Sequence, residues 1–230
     1  MPGGRSLLSR MVRLGFVGQI LLAVVLLGSA GTLKFWRGWA FMAVNLAATL
    51  CFCIYFYKHD PQLLERRMLR REKAKAQKFI MLLMKLLFVP AYLLPGLDFR
   101  FGWSRNYTGP VPLWLTLLAL LLVPAGYLMF FWVLKANRFA AAIIQVEAGQ
   151  TVTDTGPYRI VRHPMYSTIV VLWLAAPLAL GSFVALPVFA LIIPVLVLRL
   201  LNEEKILRHE LPGYSEYCRR TRCRLIPFVW

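Results

Sequence analysis

The sequence predicts an all-α, polytopic membrane helical bundle with about six transmembrane helices. Of its 230 residues, 59% are hydrophobic and 16% are charged, and the mean hydropathy is +0.62. A soluble domain does not have this composition. Several apolar runs reach the roughly 20 residues that a helix needs to cross a hydrocarbon core of about 30 Å. Since helices satisfy their own backbone polar groups in lipid, we expect a single membrane domain over residues 1–230, with no soluble appendage.

Six apolar runs follow one another along the chain and define the predicted spans. They extend from about Leu14 to Leu33, Trp36 to Tyr57, Phe79 to Leu97, Val111 to Leu134, Pro164 to Leu180 and Phe183 to Leu201. The last two runs are separated only by Gly181 and Ser182. Because this connection is short and uncharged, we expect the fifth and sixth spans to form a tight helical hairpin.

Basic residues are concentrated at one end of the predicted spans. This end carries Arg5, Arg10, Arg13, Lys58, Arg66, Arg67, Arg70, Arg71, Lys73, Lys75, Lys78, Lys135, Arg138, Arg159, Arg162 and most of the tail, and the opposite end carries Lys34, Arg37, Arg100 and Arg105. The positive-inside rule therefore predicts that both termini are cytoplasmic. The net charge of +17 indicates topology and attraction to anionic lipid. Nucleic-acid binding is not expected, because the basic residues are spread over separate loops without a recognisable motif.

The run GPYRIVRHPMY, Gly156 to Tyr166, opens the fifth predicted span. Pro164 suits a first helical turn, where a backbone donor is not needed. Arg162, His163 and Tyr166 crowd the same entrance, where free backbone amides favour an anion. Two interpretations remain open on these residues alone: a binding site, or interfacial aromatic residues with a snorkelling arginine.

Glu203 and Glu204 follow the last apolar run. Carboxylates are unfavourable near the negative end of a helix dipole, so something nearby should compensate them. One interpretation is a structural ion-pair cluster with Arg199, Lys205, Arg208 and His209. The other is that a carboxylate meets a cationic or donor ligand at the membrane boundary, while Arg199 faces an anionic substrate group.

The stretch from Gln145 through QTVTDTGPYRIVRHPMY to NEEKILRHELPGYSEYCRRTRCRLIP resembles the isoprenylcysteine carboxyl methyltransferases and their bacterial relatives. The segment DPQLLERRM, Asp60 to Met68, is similar to an upstream segment of the bacterial branch. An RHPxY motif also occurs in membrane phospholipid methyltransferases and sterol reductases. Its combination with the preceding QTVTDTGPY and the following EE pair is more specific.

This resemblance implies a methyltransferase that uses S-adenosylmethionine bound by residues 135–230, with residues 1–134 as a four-helix scaffold. Arg199 is the candidate substrate contact, and no catalytic residue is assigned. The implied cofactor-binding residues are Gln145, Gln150, Thr151, Val152, Thr153, Tyr158, His163, Pro164, Met165, Tyr166 and Glu204. We expect a site that faces the cytoplasm from a bacterial inner membrane and receives a lipophilic substrate from the bilayer.

The chemistry of methyl transfer is consistent with these residue types. The reaction is an in-line displacement that depends on alignment and exclusion of water, so neither a metal nor a covalent intermediate is required. A carboxylate acceptor arrives ionised, whereas an amine would need a base, for which His163 and Glu203 are candidates.

Two other classes remain as alternatives to the methyltransferase. An NADPH-dependent sterol-type reductase shares the RHPxY-like entrance, but Ser167 and Thr168 stand where such reductases tend to have a glycine and an acid. A non-catalytic membrane scaffold is the third class. Within the methyltransferases, a phospholipid amine, a carboxylate and a thiol are all admissible acceptors. The oligomeric state is not determined by the sequence.

Overall fold

The computed structural model describes residues 3–68, 75–137, 139 and 149–230, and the regular elements within these ranges are all helical. Helices α1 to α9 span Gly3–Ala30, Trp36–His59, Pro61–Met68, Lys75–Phe101, Leu113–Ala136, Pro164–Ala179, Leu186–Ala190, Ile192–Glu210 and Tyr214–Arg220. A π-helical turn at Ser104–Thr108 precedes α5, and a 3-10 turn at Gly156–Arg159 precedes α6. The predicted all-α, polytopic bundle is confirmed.

Among the described residues, five helical segments are long and apolar enough to cross a membrane. They are Leu7–Ala30, Trp36–His59, Gln77–Phe101, Leu113–Ala136 and Leu186–Glu210. The fifth predicted span is the shorter α6, whose 16 residues extend about 24 Å at 1.5 Å per residue. The predicted order of spans is therefore retained, with one short helix before the last span.

The segment DPQLLERRM forms a helix within the basic connection between α2 and α4. Pro61 occupies the first position of α3, and the Asp60 carboxylate accepts a hydrogen bond from the Leu63 backbone N–H at 3.1 Å. This is the side-chain cap that a helix start favours. Leu63 and Leu64 are buried and pack with Phe56 of α2. Helix α3 thereby packs against the end of α2.

Close helix contacts occur where glycine replaces a larger side chain. A Cβ atom on Gly126 of α5 would lie 2.5 Å from Leu172 Cδ2 of α6. A Cβ atom on Gly96 of α4 would lie 2.6 Å from the Leu26 carbonyl oxygen of α1. Small residues allow helix backbones to approach each other in this way in membranes. These two contacts bring α6 against α5 and α4 against α1.

The C-terminal tail folds back onto the start of α6. The backbone N–H groups of Arg162 and His163 donate to the carbonyl oxygens of Cys223 and Arg224, each at 2.9 Å. The Ser167 hydroxyl donates to the Leu225 carbonyl oxygen at 2.5 Å. The tail therefore fixes the RHP segment beside the end of α8.

Candidate functional site

An open cleft of about 770 Å³ lies where α6 begins and α8 ends. Its walls come from the loop before α6, the first turn of α6, the last turns of α8, and α9. The lining residues are Asn137, Phe139, Gln150, Thr151, Val152, Thr153, Tyr158, Arg162, His163, Met165, Tyr166, Glu203, Leu207, Leu211, Tyr214 and Tyr217.

The structure brings most of the sequence-predicted cofactor residues to this cleft. Those that line it are Gln150, Thr151, Val152, Thr153, Tyr158, His163, Met165 and Tyr166. Pro164 is buried in the first turn of α6 and does not line the cleft. Glu204 and Arg199 also do not line it, although both are buried in α8. Gln145 lies outside the described residues.

Glu204 is the centre of a buried ion cluster behind the cleft wall. Its side chain is about 5% exposed, and its Oε1 atom lies 3.0 Å from Arg162 Nε and 3.3 Å from His163 Nε2. Its Oε2 atom accepts a hydrogen bond from Arg224 Nε at 3.3 Å. Arg208, one turn further along α8, lies 3.9 Å from Oε2. The ion-pair interpretation is therefore confirmed for Glu204. Arg208 is a partner that the sequence named, and Arg162 and Arg224 are partners that are distant in sequence.

Glu203, in contrast, faces the cleft. Its Oε2 atom accepts a hydrogen bond from the Tyr166 hydroxyl at 2.5 Å. The same hydroxyl accepts one from Arg199 Nε at 3.1 Å. The Tyr166 hydroxyl thus links the Arg199 guanidinium to the Glu203 carboxylate at the cleft.

Two residues of the N-terminal half also contact this region, and the sequence did not single them out as site residues. Arg67 of α3 donates through Nη1 to the Met165 sulfur at 3.2 Å, and its guanidinium lies 5.1 Å from the centre of the Phe130 ring. Burial lowers the pKa of Arg67. Gln77 of α4 is fully buried and its amide contacts the Arg199 carbonyl oxygen at 3.5 Å. The only sequence signal for Arg67 was the family resemblance of the segment DPQLLERRM, which did not indicate an individual residue.

Three tyrosines, Tyr158, Tyr214 and Tyr217, line the cleft in addition to Tyr166. The Tyr217 hydroxyl donates to the Tyr158 carbonyl oxygen at 2.6 Å, and the Asn137 amide donates to the Tyr158 hydroxyl at 3.2 Å. The Tyr214 hydroxyl is buried and has no hydrogen-bond partner within the described part of the chain. Burial raises the pKa of Tyr158 to about 12 and raises the pKa values of Tyr214 and Tyr217 as well. All three hydroxyls therefore remain protonated near neutral pH.

Tyr214 and Tyr217 were missed by the sequence reasoning. The available signal was their spacing of three residues in LPGYSEY, which places them on one face of a helix. Helix α9 has only 7 residues, too few for an apolar period to be evident. In the described ranges, no group of three or more His, Cys, Asp and Glu side chains is arranged to hold a metal ion.

Fold and site together define an integral membrane helical protein with a polar, tyrosine-walled cleft at one end of the bundle. Residues 114–211 match the profile of the phospholipid methyltransferase family. This match extends from α5 through α8 and into the cleft. The predicted resemblance to a family of integral-membrane methyltransferases is thereby confirmed for this part of the chain.

A curated relative shows similarity over a comparable length. The chain is 31% identical over 139 residues to the cobalt-zinc-cadmium resistance protein CzcN of Cupriavidus metallidurans. The alignment covers 58% of this chain and 56% of that protein. The chain thus spans little more than half the length of that relative.

Proposed function

We propose that this protein is an S-adenosylmethionine-dependent methyltransferase that acts on a lipophilic, membrane-embedded substrate. The observation that carries the proposal is that three segments distant in sequence line one cleft. They contribute residues 150–153, residues 163, 165 and 166, and residue 203. The family match over residues 114–211 supports the same class. Backbone hydrogen bonds from Arg162 and His163 to the tail hold the start of α6 in place at this cleft.

The donors and acceptors of the cleft fit the proposed cofactor. S-adenosylmethionine would supply a methyl group bound to a sulfonium sulfur. When a nucleophile attacks the methyl carbon, the sulfur takes the electrons of the C–S bond and leaves as a thioether. Glu203 provides a carboxylate for the cofactor's ammonium group. The buried Tyr214 hydroxyl has no partner within the described residues and provides a donor. Met165, Leu207 and Leu211 provide apolar contact area for adenine.

The role of the chain in the reaction is to bind, orient and exclude water. Burial of Tyr166 between Arg199 and Glu203 holds its hydroxyl in a single hydrogen-bonded position, and a fixed geometry is the main requirement of an in-line transfer. Arg199 remains the proposed substrate contact, acting beside Tyr166. A carboxylate acceptor needs no base, whereas an amine must lose a proton, and Glu203 is the carboxylate that lines the cleft.

The methyl acceptor is proposed at the level of a class. The description of the matched family favours a phospholipid amine as one candidate. The resemblance to isoprenylcysteine carboxyl methyltransferases favours a lipophilic carboxylate as the other. Both enter from the bilayer in our proposal, while the cofactor enters from the cytoplasm. Residues 135–230 would hold the cofactor, and residues 1–134 would form the scaffold and add Arg67 to the site.

Cofactor binding is the direct test of this proposal. Isothermal titration of the detergent-purified protein should detect S-adenosylmethionine and not NADPH. Glu203→Gln should weaken this binding by about tenfold or more, since a charge-assisted hydrogen bond contributes roughly 1.5–3 kcal/mol. Glu210→Gln is the matched control, because it removes an exposed carboxylate from the same helix outside the cleft.

Other results of this titration would place the protein in a different functional class. Binding of NADPH alone would move it to the reductases. Binding of neither compound would favour a non-catalytic scaffold. Equal loss in Glu203→Gln and Glu210→Gln would show that the cleft is not where the cofactor binds.

A further inference from the structure

The tail after α9 contains a closed turn, residues 225–230, that presents apolar side chains outside the fold. The backbone N–H groups of Leu225 and Ile226 donate to the Trp230 backbone oxygen at 2.9 and 3.1 Å, and the Trp230 N–H group donates to the Ile226 carbonyl oxygen at 3.2 Å. Phe228 has a φ of 63°, which is uncommon for a bulky residue. It is 100% exposed, and Ile226 and Val229 are 54% and 75% exposed. We call residues 225–230 the tail turn.

Contacts of the tail with α6 and α8 show at what level of the bundle this turn lies. Leu225 is buried in one apolar cluster with Leu200 of α8 and Ile169 of α6. The preceding residue, Arg224, places its Nε atom 3.3 Å from Glu204 Oε2. The tail turn therefore begins beside residues 200–204 of α8.

The exposed surface of α8 changes from apolar to cationic at this same level. Leu198, Leu201 and Lys205 are exposed, and their spacing of three and four residues puts them on one face of the helix. A lysine at the end of an apolar helix face is typical of the membrane boundary, where its amine reaches the head groups. The edge of the hydrocarbon core thus passes between Leu201 and Lys205. The apolar side chains of the tail turn lie beside that edge.

The chain just before the tail turn is strongly basic. Residues 219–224 contain four arginines and no acidic residue. Arg219 and Arg222 are exposed, whereas Arg220 lies 3.1 Å from the Asp154 carboxylate. Basic residues beside exposed aromatic and aliphatic residues are typical of segments that lie in the membrane interface and bind anionic lipid. The same positive charge would repel a second copy of this end of the protein, so a lipid surface is the partner that fits.

We propose that the tail turn docks into the leaflet at the cleft end of the bundle. Ile226, Phe228 and Val229 insert at the boundary between acyl chains and head groups. Arg219 and Arg222 bind the head groups of anionic phospholipids. The inference goes beyond the proposed reaction and rests on the tail alone. Because the backbone just before the turn holds the start of α6, the docked turn also attaches one side of the cleft to the bilayer.

Spin labels on the full-length protein in nanodiscs test this docking. Cys51, Cys53 and Cys218 are replaced by alanine. Cys223 is replaced by serine, which keeps an acceptor for the Phe228 backbone N–H group that donates to its sulfur at 3.2 Å. Power saturation of the electron paramagnetic resonance signal then compares two relaxation agents. Oxygen concentrates in lipid, and the neutral complex nickel ethylenediaminediacetate stays in water.

The nitroxide is attached in separate variants at two sites of the turn and at two control sites. Phe228→Cys and Val229→Cys report the turn, and the exposure of both residues means that neither substitution removes a core contact. Leu198→Cys is the control for the lipid-facing surface of α8, and Ser215→Cys is the control for an exposed position on α9. In nanodiscs of phosphatidylcholine with phosphatidylglycerol, the two turn labels should be more accessible to oxygen than to nickel, as at Leu198. The Ser215 label should show the reverse order.

Removing phosphatidylglycerol tests the contribution of charge. The nickel complex should then reach the two turn labels more easily, and the combined substitutions Arg219→Gln and Arg222→Gln should abolish this difference between the lipids. The proposal is overturned if either turn label gives the Ser215 order, or if it is shielded from both agents, which would show a protein cover. Equal nickel access with and without phosphatidylglycerol would overturn the anionic assignment. Because no cofactor or turnover is measured, a failure of the methyltransferase proposal would leave this result intact.

Discussion

Glu203 and Glu204 are adjacent in sequence, yet they have different surroundings. Glu204 is buried between Arg162, His163 and Arg224, whereas Glu203 faces the cleft and accepts a hydrogen bond from Tyr166. The EE pair in the sequence predicts that carboxylates at this position either form ion pairs or contact a ligand. It does not show which one is buried in the ion cluster and which one lines the cleft. Arg162 and Arg224, which pair with Glu204, come from a loop and a tail that only folding brings together.

Glu204→Ala should destabilise the protein. Removing one partner of a buried ion pair typically costs about 3–5 kcal/mol, because the remaining charge is left buried, and Arg162 would be that charge. Thermal unfolding in detergent, followed by fluorescence-detected gel filtration, should show a lower apparent melting temperature. Glu203→Ala is the matched control and should lower it less. A larger loss in Glu203→Ala would contradict the assignment of Glu204 as the structural carboxylate.

Tyr214 and Tyr217 offer a second matched pair at the cleft. Tyr217→Phe removes the donor to the Tyr158 carbonyl oxygen, so stability should fall by about 1 kcal/mol. Tyr214→Phe removes a hydroxyl that has no partner among the described residues, so stability should not fall. If Tyr214 donates to the bound cofactor, Tyr214→Phe should lose more ligand affinity than Tyr217→Phe. Affinity for S-adenosylhomocysteine should then decrease about tenfold in Tyr214→Phe.

Two measurements separate these effects. Thermal unfolding without ligand reports the structural contribution, and isothermal titration reports the binding contribution. Unchanged affinity in Tyr214→Phe, with normal binding by the unsubstituted protein, would show that the hydroxyl does not contact the ligand. A loss of stability equal to that of Tyr217→Phe would show that Tyr214 has a structural partner.

At the scale of helices, apolar run length placed the second to fifth spans to within four residues of the helix bounds. The first span begins earlier than predicted, since α1 covers Gly3–Ala30, and the last ends later, since α8 continues to Glu210. The second span was predicted from Trp36 to Tyr57, and α2 covers Trp36–His59. The short elements α3, α7 and α9 were not predicted, because they contain only 8, 5 and 7 residues. Helices of this length are not stable by local propensity. Tertiary contacts such as the burial of Leu63 and Leu64 decide them, and these contacts are not visible in a local pattern.

The packing of α1 against α4 gives a prediction at the same scale. Gly96→Ala should destabilise the bundle, because the added Cβ atom would meet the Leu26 carbonyl oxygen at 2.6 Å and the Ala30 backbone nitrogen at 2.9 Å. Backbone atoms cannot move aside as a flexible side chain can, and overpacking typically costs about 1–3 kcal/mol. The apparent melting temperature in detergent measures this loss.

Gly28→Ala is the control for that substitution. Gly28 is also in the membrane-spanning part of α1, but a Cβ atom there would have no neighbour within 4 Å. The added methyl group should leave the bundle unchanged or slightly stabilise α1, since alanine is the better helix former. If both variants unfold at the same temperature as the unsubstituted protein, α1 and α4 do not pack at Gly96 in the membrane.

For the whole molecule, basic residues and the cleft lie at the same end of the bundle. Arg67, Arg162, Arg208 and Arg224 all lie around the site. The sequence predicts this end as cytoplasmic from charge alone. It does not predict that the charges also build the site, because Arg162 and Arg224 are buried or half-buried ion-pair partners rather than free surface charges. The same arginines thus form part of the basis for the predicted topology and also contact the residues around the cleft.

The orientation is testable by labelling from one side of the membrane. In a variant whose four native cysteines are replaced by alanine, Tyr107→Cys and Glu216→Cys each introduce a single thiol. Tyr107 is 82% exposed in the turn between α4 and α5, and Glu216 is exposed on α9 beside the cleft. In intact bacterial spheroplasts, a membrane-impermeant maleimide should label Tyr107→Cys at once and Glu216→Cys only after lysis. This difference is expected because the positive-inside rule places the cleft with most of the arginines in the cytoplasm. The reverse order would place the cleft outside, where no cytoplasmic cofactor reaches it. Labelling of both thiols before lysis would show that both positions lie on the same side of the membrane, which requires an even number of crossings between them.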